Sequence, residues 1–276
     1  MNSTIGKDAR ELIAFYLEAG VDAVIGEEAI DRFADEAPQP IQPAAPRPPS
    51  PAVPRKAADN AIVGTALPAA IAVPASQETA VMAAREAAKT ARTLDELRAL
   101  LEAFEGCMLR ATATQLVFAA GNPQARVMFV GEAPGRDEDI SGTPFVGRSG
   151  QLLDRMMAAI GLDRTSAYIA NVVPWRPPGN RTPTPQETAI CLPFIRRQIE
   201  LANPDTLVCL GQPATQTLLG TREGITRTRG RWFKFDTGSR EIRAMATYHP
   251  AFLLRSPLQK RLAWRDFLAL KKALAG

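Results

Sequence analysis

The chain has 276 residues, 46% of them apolar, which is enough for a sizeable core in one or two domains. Its net charge of +4 hides an imbalance: residues 1–36 hold three basic and nine acidic side chains, a net of −6, while residues 224–276 hold twelve and three, a net of +9. A basic C-terminal section suits a polyanionic partner or is a solvated face, and three widely spaced cysteines exclude a disulfide framework.

At the N-terminus, Lys7, Asp8, Arg10 and Glu11 stand where a signal peptide would need an apolar core. The most apolar stretch, 61–75, is short and broken by Pro68 and Pro74, so no membrane span is expected and the expected compartment is the cytoplasm. Residues 1–34 form an N-terminal helical segment, with Leu12, Ile13, Phe15, Tyr16 and Leu17 on an apolar side. It either packs as a small hairpin or docks on a partner protein. Residues 35–80 are a Pro/Ala-rich linker, expected to be extended and disordered. The third region, 81–276, is the expected catalytic domain. It opens with a helical stretch at 82–101, in which Thr93-Leu94-Asp95-Glu96 resembles a fresh helix start.

From Arg126 the pattern becomes strand, loop, helix, repeated. Strands are expected at 126–130, 167–172, 206–210 and 243–247, and helices at 149–160, 186–202, 212–219 and 258–273. The fold class is therefore α/β, a three-layer α/β/α sandwich around a mainly parallel four-stranded sheet. In such a sheet the loops after the strands share one edge and can converge. They are Glu132 to Phe145, Asn171 to Arg181, Gly211-Gln212 and His249 to Arg255.

Each loop carries residues with two readings. Glu132 caps a helix or serves chemistry, and Phe145 packs in a core or against a ligand. Asn171 closes an otherwise apolar strand, where its amide needs a partner. It caps backbone, or presents a donor and an acceptor side by side to a nucleobase edge. Arg176-Pro177-Pro178-Gly179-Asn180-Arg181 is a stiff basic loop suited to phosphate, or a solvated turn. His249 is the only histidine and precedes Pro250-Ala251-Phe252-Leu253-Leu254-Arg255.

Together, Gly131-Glu132-Ala133-Pro134-Gly135, Glu138-Asp139, Gly142-Thr143-Pro144-Phe145-Val146-Gly147, Asn171, Arg176 to Arg181 and His249 to Arg255 resemble the uracil-DNA glycosylase superfamily, closest to family 4. The resemblance spans residues 100–272. It implies hydrolysis of the bond between uracil and deoxyribose in single- or double-stranded DNA, with the base flipped into a pocket. On it, Phe145 stacks on uracil, Asn171 pairs with N3–H and O4, and Glu138 crowds the C5 edge. His249 donates to O2, and Glu132 positions the water. Leu253, Leu254 and Arg255 fill the gap in the duplex, while Arg176 and Arg181, with Arg227, Arg229 and Arg231, meet phosphates.

Family 4 members usually hold a 4Fe–4S cluster on four cysteines, and the matching positions here are Phe104, Cys107, Trp175 and Cys191. Two of the four thiolates are replaced, so no cluster or other metal is expected, and Phe104 and Trp175 are expected to fill the volume. The expected protein is a monomeric repair glycosylase, with a repair or replication partner for the N-terminal segment. The alternatives are a glycosylase for hypoxanthine or xanthine, and a non-catalytic DNA-binding scaffold.

Overall fold

The structure, a computed structural model, describes residues 77–275. The expected helical segment 1–34 and almost all of the linker lie outside the described residues. The chain is helical from Gln77, so the last four residues of the expected linker, 77–80, belong to a helix. No proline follows Pro74 in this stretch, and Glu78 in the first turn favours a helix start.

Three helices lead in: α1 (Gln77–Thr90), α2 (Leu94–Ala103) and α3 (Leu109–Thr112). Thr93 caps α2, its hydroxyl accepting from Glu96 N at 3.1 Å, so the expected fresh start is where the helix begins. Strands β1 (Ala120–Gly121) and β2 (Val127–Gly131) follow, then α4 (Arg136–Ser141), α5 (Arg148–Ala158) and β3 (Ala167–Asn171). Next come α6 (Pro185–Ala202), β4 (Thr206–Leu210), α7 (Gln212–Leu219) and α8 (Ile225–Thr228). The chain closes with β5 (Trp232–Asp236), β6 (Glu241–Thr247), α9 (Pro250–Arg255) and α10 (Lys260–Ala275).

The sheet has six strands in the order β1-β3-β2-β4-β6-β5. The four expected strands form its parallel centre. Every residue of β2, β3 and β4 is buried, which is why they read as unbroken apolar runs. The two additional strands are antiparallel edges. β1 is only two residues long, and most of β5 is exposed, so neither produces an apolar run.

Alternate residues of the central strands feed two cores. Met128, Val130, Tyr168, Leu207 and Cys209 face one layer, where α1 lies on α6 through Ala80, Ala84 and Ala88. Val127, Phe129, Ile169, Val208 and Leu210 face the other, against Leu153 and Met157 of α5 and Phe267 and Leu270 of α10. The result is the expected three layers. The chain leaves β2 for β3 on one side and then crosses to β4 on the other. Beyond the carboxyl ends of these strands, the loops diverge around a crevice, which is where an open α/β sheet binds its ligand.

Candidate active site

A cavity of about 600 Å³ opens at that crevice. Glu132, Glu138, Phe145, Arg181, His249 and Arg255 all line it, together with Gln212 at the start of α7. Loops separated by more than a hundred residues therefore meet as expected.

The loop after β2 is folded around Glu138, which is buried. One carboxylate oxygen accepts from Gly135 N at 3.0 Å, and the other accepts from Val146 N at 3.1 Å and Gly147 N at 3.0 Å. Glu138 thus reaches the cavity with both oxygens committed to backbone amides. Asp139 is buried beside it, accepting from the Thr114 backbone amide at 2.8 Å and hydroxyl at 2.9 Å.

These bonds turn the chain so that Phe145 enters the cavity with φ +56°, in the left-handed region that a bulky residue rarely occupies. Arg164 holds it there. Its guanidinium donates to the carbonyl oxygens of Pro144 (3.2 Å) and Phe145, and is itself held by Asp154 at 2.9 Å. A Cβ at Gly150 would lie 1.7 Å from the Phe145 carbonyl oxygen, so only glycine fits on the far side. Sequence reasoning missed Arg164 and Asp154; nothing in their spacing marks a clamp.

Asn171 ends β3 beside Gly131 of β2. A Cβ on Gly131 would meet Asn171 Oδ1 at 2.5 Å and the Phe145 ring at 2.7 Å, so amide, glycine and ring are in close apposition. Asn171 is 4% exposed, and its Oδ1 has no hydrogen-bond partner. An orphaned buried carbonyl oxygen costs about 1–3 kcal/mol unless a ligand donor meets it. Glu132 Oε1 is the second such buried atom near the cavity. Burial raises the Glu132 pKa above the usual carboxylate value, and the Thr182 hydroxyl moderates the shift.

His249 caps α9, with Nδ1 accepting from Ala251 N at 3.1 Å. Nδ1 is therefore the acceptor, and in the neutral ring the proton sits on Nε2. Burial, and then the positive charge of Arg255, lower the pKa to about 4, so the ring is neutral at pH 7. Its centroid is 5.5 Å from that of Phe145. The cavity thus offers one aromatic face, one neutral N–H donor and one carboxylate.

A buried network supports β6 two residues before His249. Asp266 of α10 accepts from the Thr247 hydroxyl at 2.7 Å and from Arg229 Nε at 3.0 Å. The same guanidinium lies over the Tyr248 ring, 5.7 Å from its centroid.

The residues expected on the DNA face differ in exposure and in the partners they hold. Leu253 is 1% exposed, packed with Tyr248 and Ala263, because its position on α9 points into the core. Leu254 is half-buried. Arg229 is held inside by Asp266. Arg176 donates to Asn180 at 2.6 Å and lies 3.8 Å from Asp139, and Arg181 forks onto Glu187 at 2.7 and 2.8 Å. Arg231 pairs with Glu223 at 2.5 Å. Arg255 and Arg227 are exposed, as a phosphate contact requires.

The family's cluster positions form no cluster-binding set. Phe104 stacks edge-on against Phe194 at 5.0 Å, and Trp175 is 2% exposed, among the largest fully buried side chains. Cys107 and Cys191 share a hydrogen bond with each other; that bond, and then burial, hold the Cys191 thiol well above its usual pKa. Cys209, buried within β4, is pushed up to about 12 and is inert. Four thiolates are needed and two are present, so the residues do not fit a 4Fe–4S group. Among the described residues, no group of three or more histidine, cysteine, aspartate or glutamate side chains could hold a metal ion.

The family model described as the uracil DNA glycosylase superfamily matches residues 118–268, which include the whole cavity lining. The chain belongs to the uracil-DNA glycosylase superfamily. A type-4 uracil-DNA glycosylase of Archaeoglobus fulgidus is 40% identical over 179 residues, 63% of this chain and 90% of that protein. One from Thermotoga maritima is 44% identical over 151 residues, 54% of this chain and 77% of its own length. A type-5 uracil-DNA glycosylase of Pyrobaculum aerophilum is 30% identical over 148 residues, covering 48% and 63%. Superfamily membership fits the crevice at the switch point of the sheet. No described helix is long and apolar enough to cross a membrane.

Proposed function

We propose that the protein is a DNA-repair glycosylase that turns uracil out of DNA and hydrolyses its N-glycosidic bond, leaving an abasic site. The observation that carries this reading is the place of His249 on the cavity wall, its ring 5.5 Å from that of Phe145 and its Nδ1 taken by the Ala251 amide, which leaves Nε2 to carry the proton of the neutral ring. As the bond to the sugar breaks, negative charge gathers on uracil O2. A fixed donor there strengthens its hydrogen bond in the transition state, which lowers the barrier.

The remaining roles follow from the same geometry. Phe145, preset by Arg164 and Glu138, offers the stacking face. Asn171 Oδ1, buried and without a hydrogen-bond partner in the protein, accepts from uracil N3–H, and its amide nitrogen donates to O4. Cytosine has an acceptor at N3 and would leave that oxygen unmatched. Glu132 holds the attacking water with its unpartnered oxygen, and its neighbour Ala133 carries no group that could take part. Glu138 works as the brace of the Phe145 loop, and the C5 edge meets that loop rather than a free carboxylate. Arg255 and Arg227 take the phosphate contacts.

The protein acts without an iron–sulfur cluster, with Phe104 and Trp175 packing the space and the Cys107–Cys191 contact joining the loop before α3 to α6. It works in the cytoplasm as a monomer, and residues 1–34 tether it to a repair or replication protein.

The test is uracil release from single- and double-stranded oligonucleotides by the wild type, Asn171→Ala and His249→Ala. Release is expected from the wild type, with His249→Ala slower by about 100- to 1000-fold, the usual loss for one transition-state donor. No release by the wild type refutes the reading. Faster excision of hypoxanthine or xanthine than of uracil shifts it to another deaminated base.

A further inference from the structure

We propose that Asp266 is a positioning residue: acting through Thr247 and Arg229, it fixes the end of β6 and with it the place of His249 on the cavity wall. The proposal rests on the uracil reading above and concerns how His249 is held, not what it contacts.

Asp266 lies on α10, is 2% exposed, and forms an ion pair with Arg229. Its two oxygens take three donors. Arg229 Nε donates to one at 3.0 Å, Arg229 Nη2 donates to the other, and the Thr247 hydroxyl donates at 2.7 Å. Nη2 also donates to the Leu262 carbonyl oxygen, so Arg229 is tied to α10 at two places. Gly230 makes the approach possible: it has φ +72°, and a Cβ there would lie 2.5 Å from Asp266 Oδ1. Its amide donates to Ala246 O at 2.8 Å, which lays this segment along the end of β6.

His249 follows two residues after Thr247, and the backbone between them is pinned from several sides. Gly211 N donates to Thr247 O at 2.8 Å, and a Cβ on Gly211 would lie 2.9 Å from His249 Cβ. Tyr248 has the Arg229 guanidinium over its ring and the Phe252 ring 4.9 Å away between centroids. Thr247, itself fully buried, is thus gripped through its carbonyl by Gly211 and through its hydroxyl by Asp266. The pair does not act on His249 by charge, since burial and Arg255 are what lower the imidazole pKa. A buried ion pair adds little net stability over apolar packing, so what this one supplies is a defined geometry. A donor to the transition state needs that geometry, because a displacement of about 1 Å costs on the order of a hundredfold in rate.

The experiment uses the full chain and two readouts: kcat and KM on single-stranded uracil DNA, and the imidazole spectrum of protein labelled with nitrogen-15 histidine. His249 is the only histidine, so that spectrum reports one ring. The wild type is expected to show Nε2 protonated and Nδ1 bare. Thr247→Val, which keeps the shape and removes the hydroxyl, is expected to mix the two tautomers and to lower kcat about tenfold or more, with KM changed less than about threefold. Thr247→Ser, which keeps the hydroxyl, restores both readouts. Asp266→Asn lowers kcat, and adding Thr247→Val to it costs no further activity, because the two act along one path. The control is Tyr168→Phe, which removes a buried hydrogen bond with Gln198 in the other layer; it lowers the melting temperature and leaves kcat and the imidazole spectrum unchanged. Wild-type kcat and spectrum in Thr247→Val overturn the proposal, as do additive losses in the double variant or a kcat loss in Tyr168→Phe that matches its loss of melting temperature. If the wild type releases no uracil, the uracil reading falls, and the imidazole spectrum of Thr247→Val still decides whether the network sets His249.

Discussion

In the proposed reaction His249 serves as a donor that does not take up a proton. Burial and Arg255 hold its pKa at about 4, and the Ala251 amide occupies Nδ1, leaving Nε2–H for the ligand. Glu132 titrates in the opposite sense, raised above its ordinary value by burial. The rate is therefore expected to fall on the acid side as Glu132 protonates, at a pH above the usual carboxylate range, and to stay flat through the ordinary range of histidine titration. A pH–rate profile checks this: Glu132→Gln should be slower and lose the acid limb. A limb near pH 6.5 that persists in Glu132→Gln would point to His249 ionising instead. Stability carries the matching sign. A histidine whose folded pKa is depressed contributes stability present above its unfolded pKa of 6.5 and lost as pH falls toward about 4. Glu132, Asn171 and His249 stand out in the sequence because each is a polar side chain at or just past an apolar strand, whereas Phe145 stands out only by its place in the glycine- and proline-rich loop after β2. The side-chain partners were not: nothing in the sequence shows that Glu138 is committed to three amides, or that Arg181 forks onto Glu187.

At the scale of the element, the loop between β2 and α5 stores a strained conformation at its functional tip. Phe145 at φ +56° persists because Arg164, Glu138 and Gly150 leave it no alternative. Arg164→Ala is expected to lower kcat/KM for uracil DNA by about tenfold to a hundredfold, the equivalent of losing ~1–3 kcal/mol of preorganisation. Free uracil, a ligand of the same stacking face, should inhibit this variant more weakly. Arg164→Lys, which cannot span both carbonyls and Asp154, should recover only part of the loss. Equal inhibition of wild type and Arg164→Ala by uracil would show that Phe145 is held without Arg164. Along helix α9 the helical period turns Leu253 inward, 1% exposed, and leaves Arg255 exposed.

At the scale of the molecule, aromatic side chains pack at two of the four positions where the family resemblance implies cysteine ligands to a cluster. Phe104 against Phe194, the buried Trp175 and the contact between Cys107 and Cys191 tie the lead-in helices to α6 through the apolar layer that also backs β2 and β3. Protein purified without oxygen is expected to contain iron well below one atom per chain and no iron–sulfur absorption band; stoichiometric iron would refute the packing account. Trp175→Ala should destabilise by about 3–5 kcal/mol in urea unfolding, because a large buried ring leaves a cavity. The sequence alone determined the α/β class, the four central strands, the chain order of the site loops and the loss of two thiolates. Each of these depends on residue type and local period. Only the tertiary structure decided the two edge strands, the clamp on Phe145, the hydrogen bond that occupies His249 Nδ1, and which arginines face outward. Those depend on what each side chain meets across the fold, and partners a hundred residues apart leave no mark in local spacing.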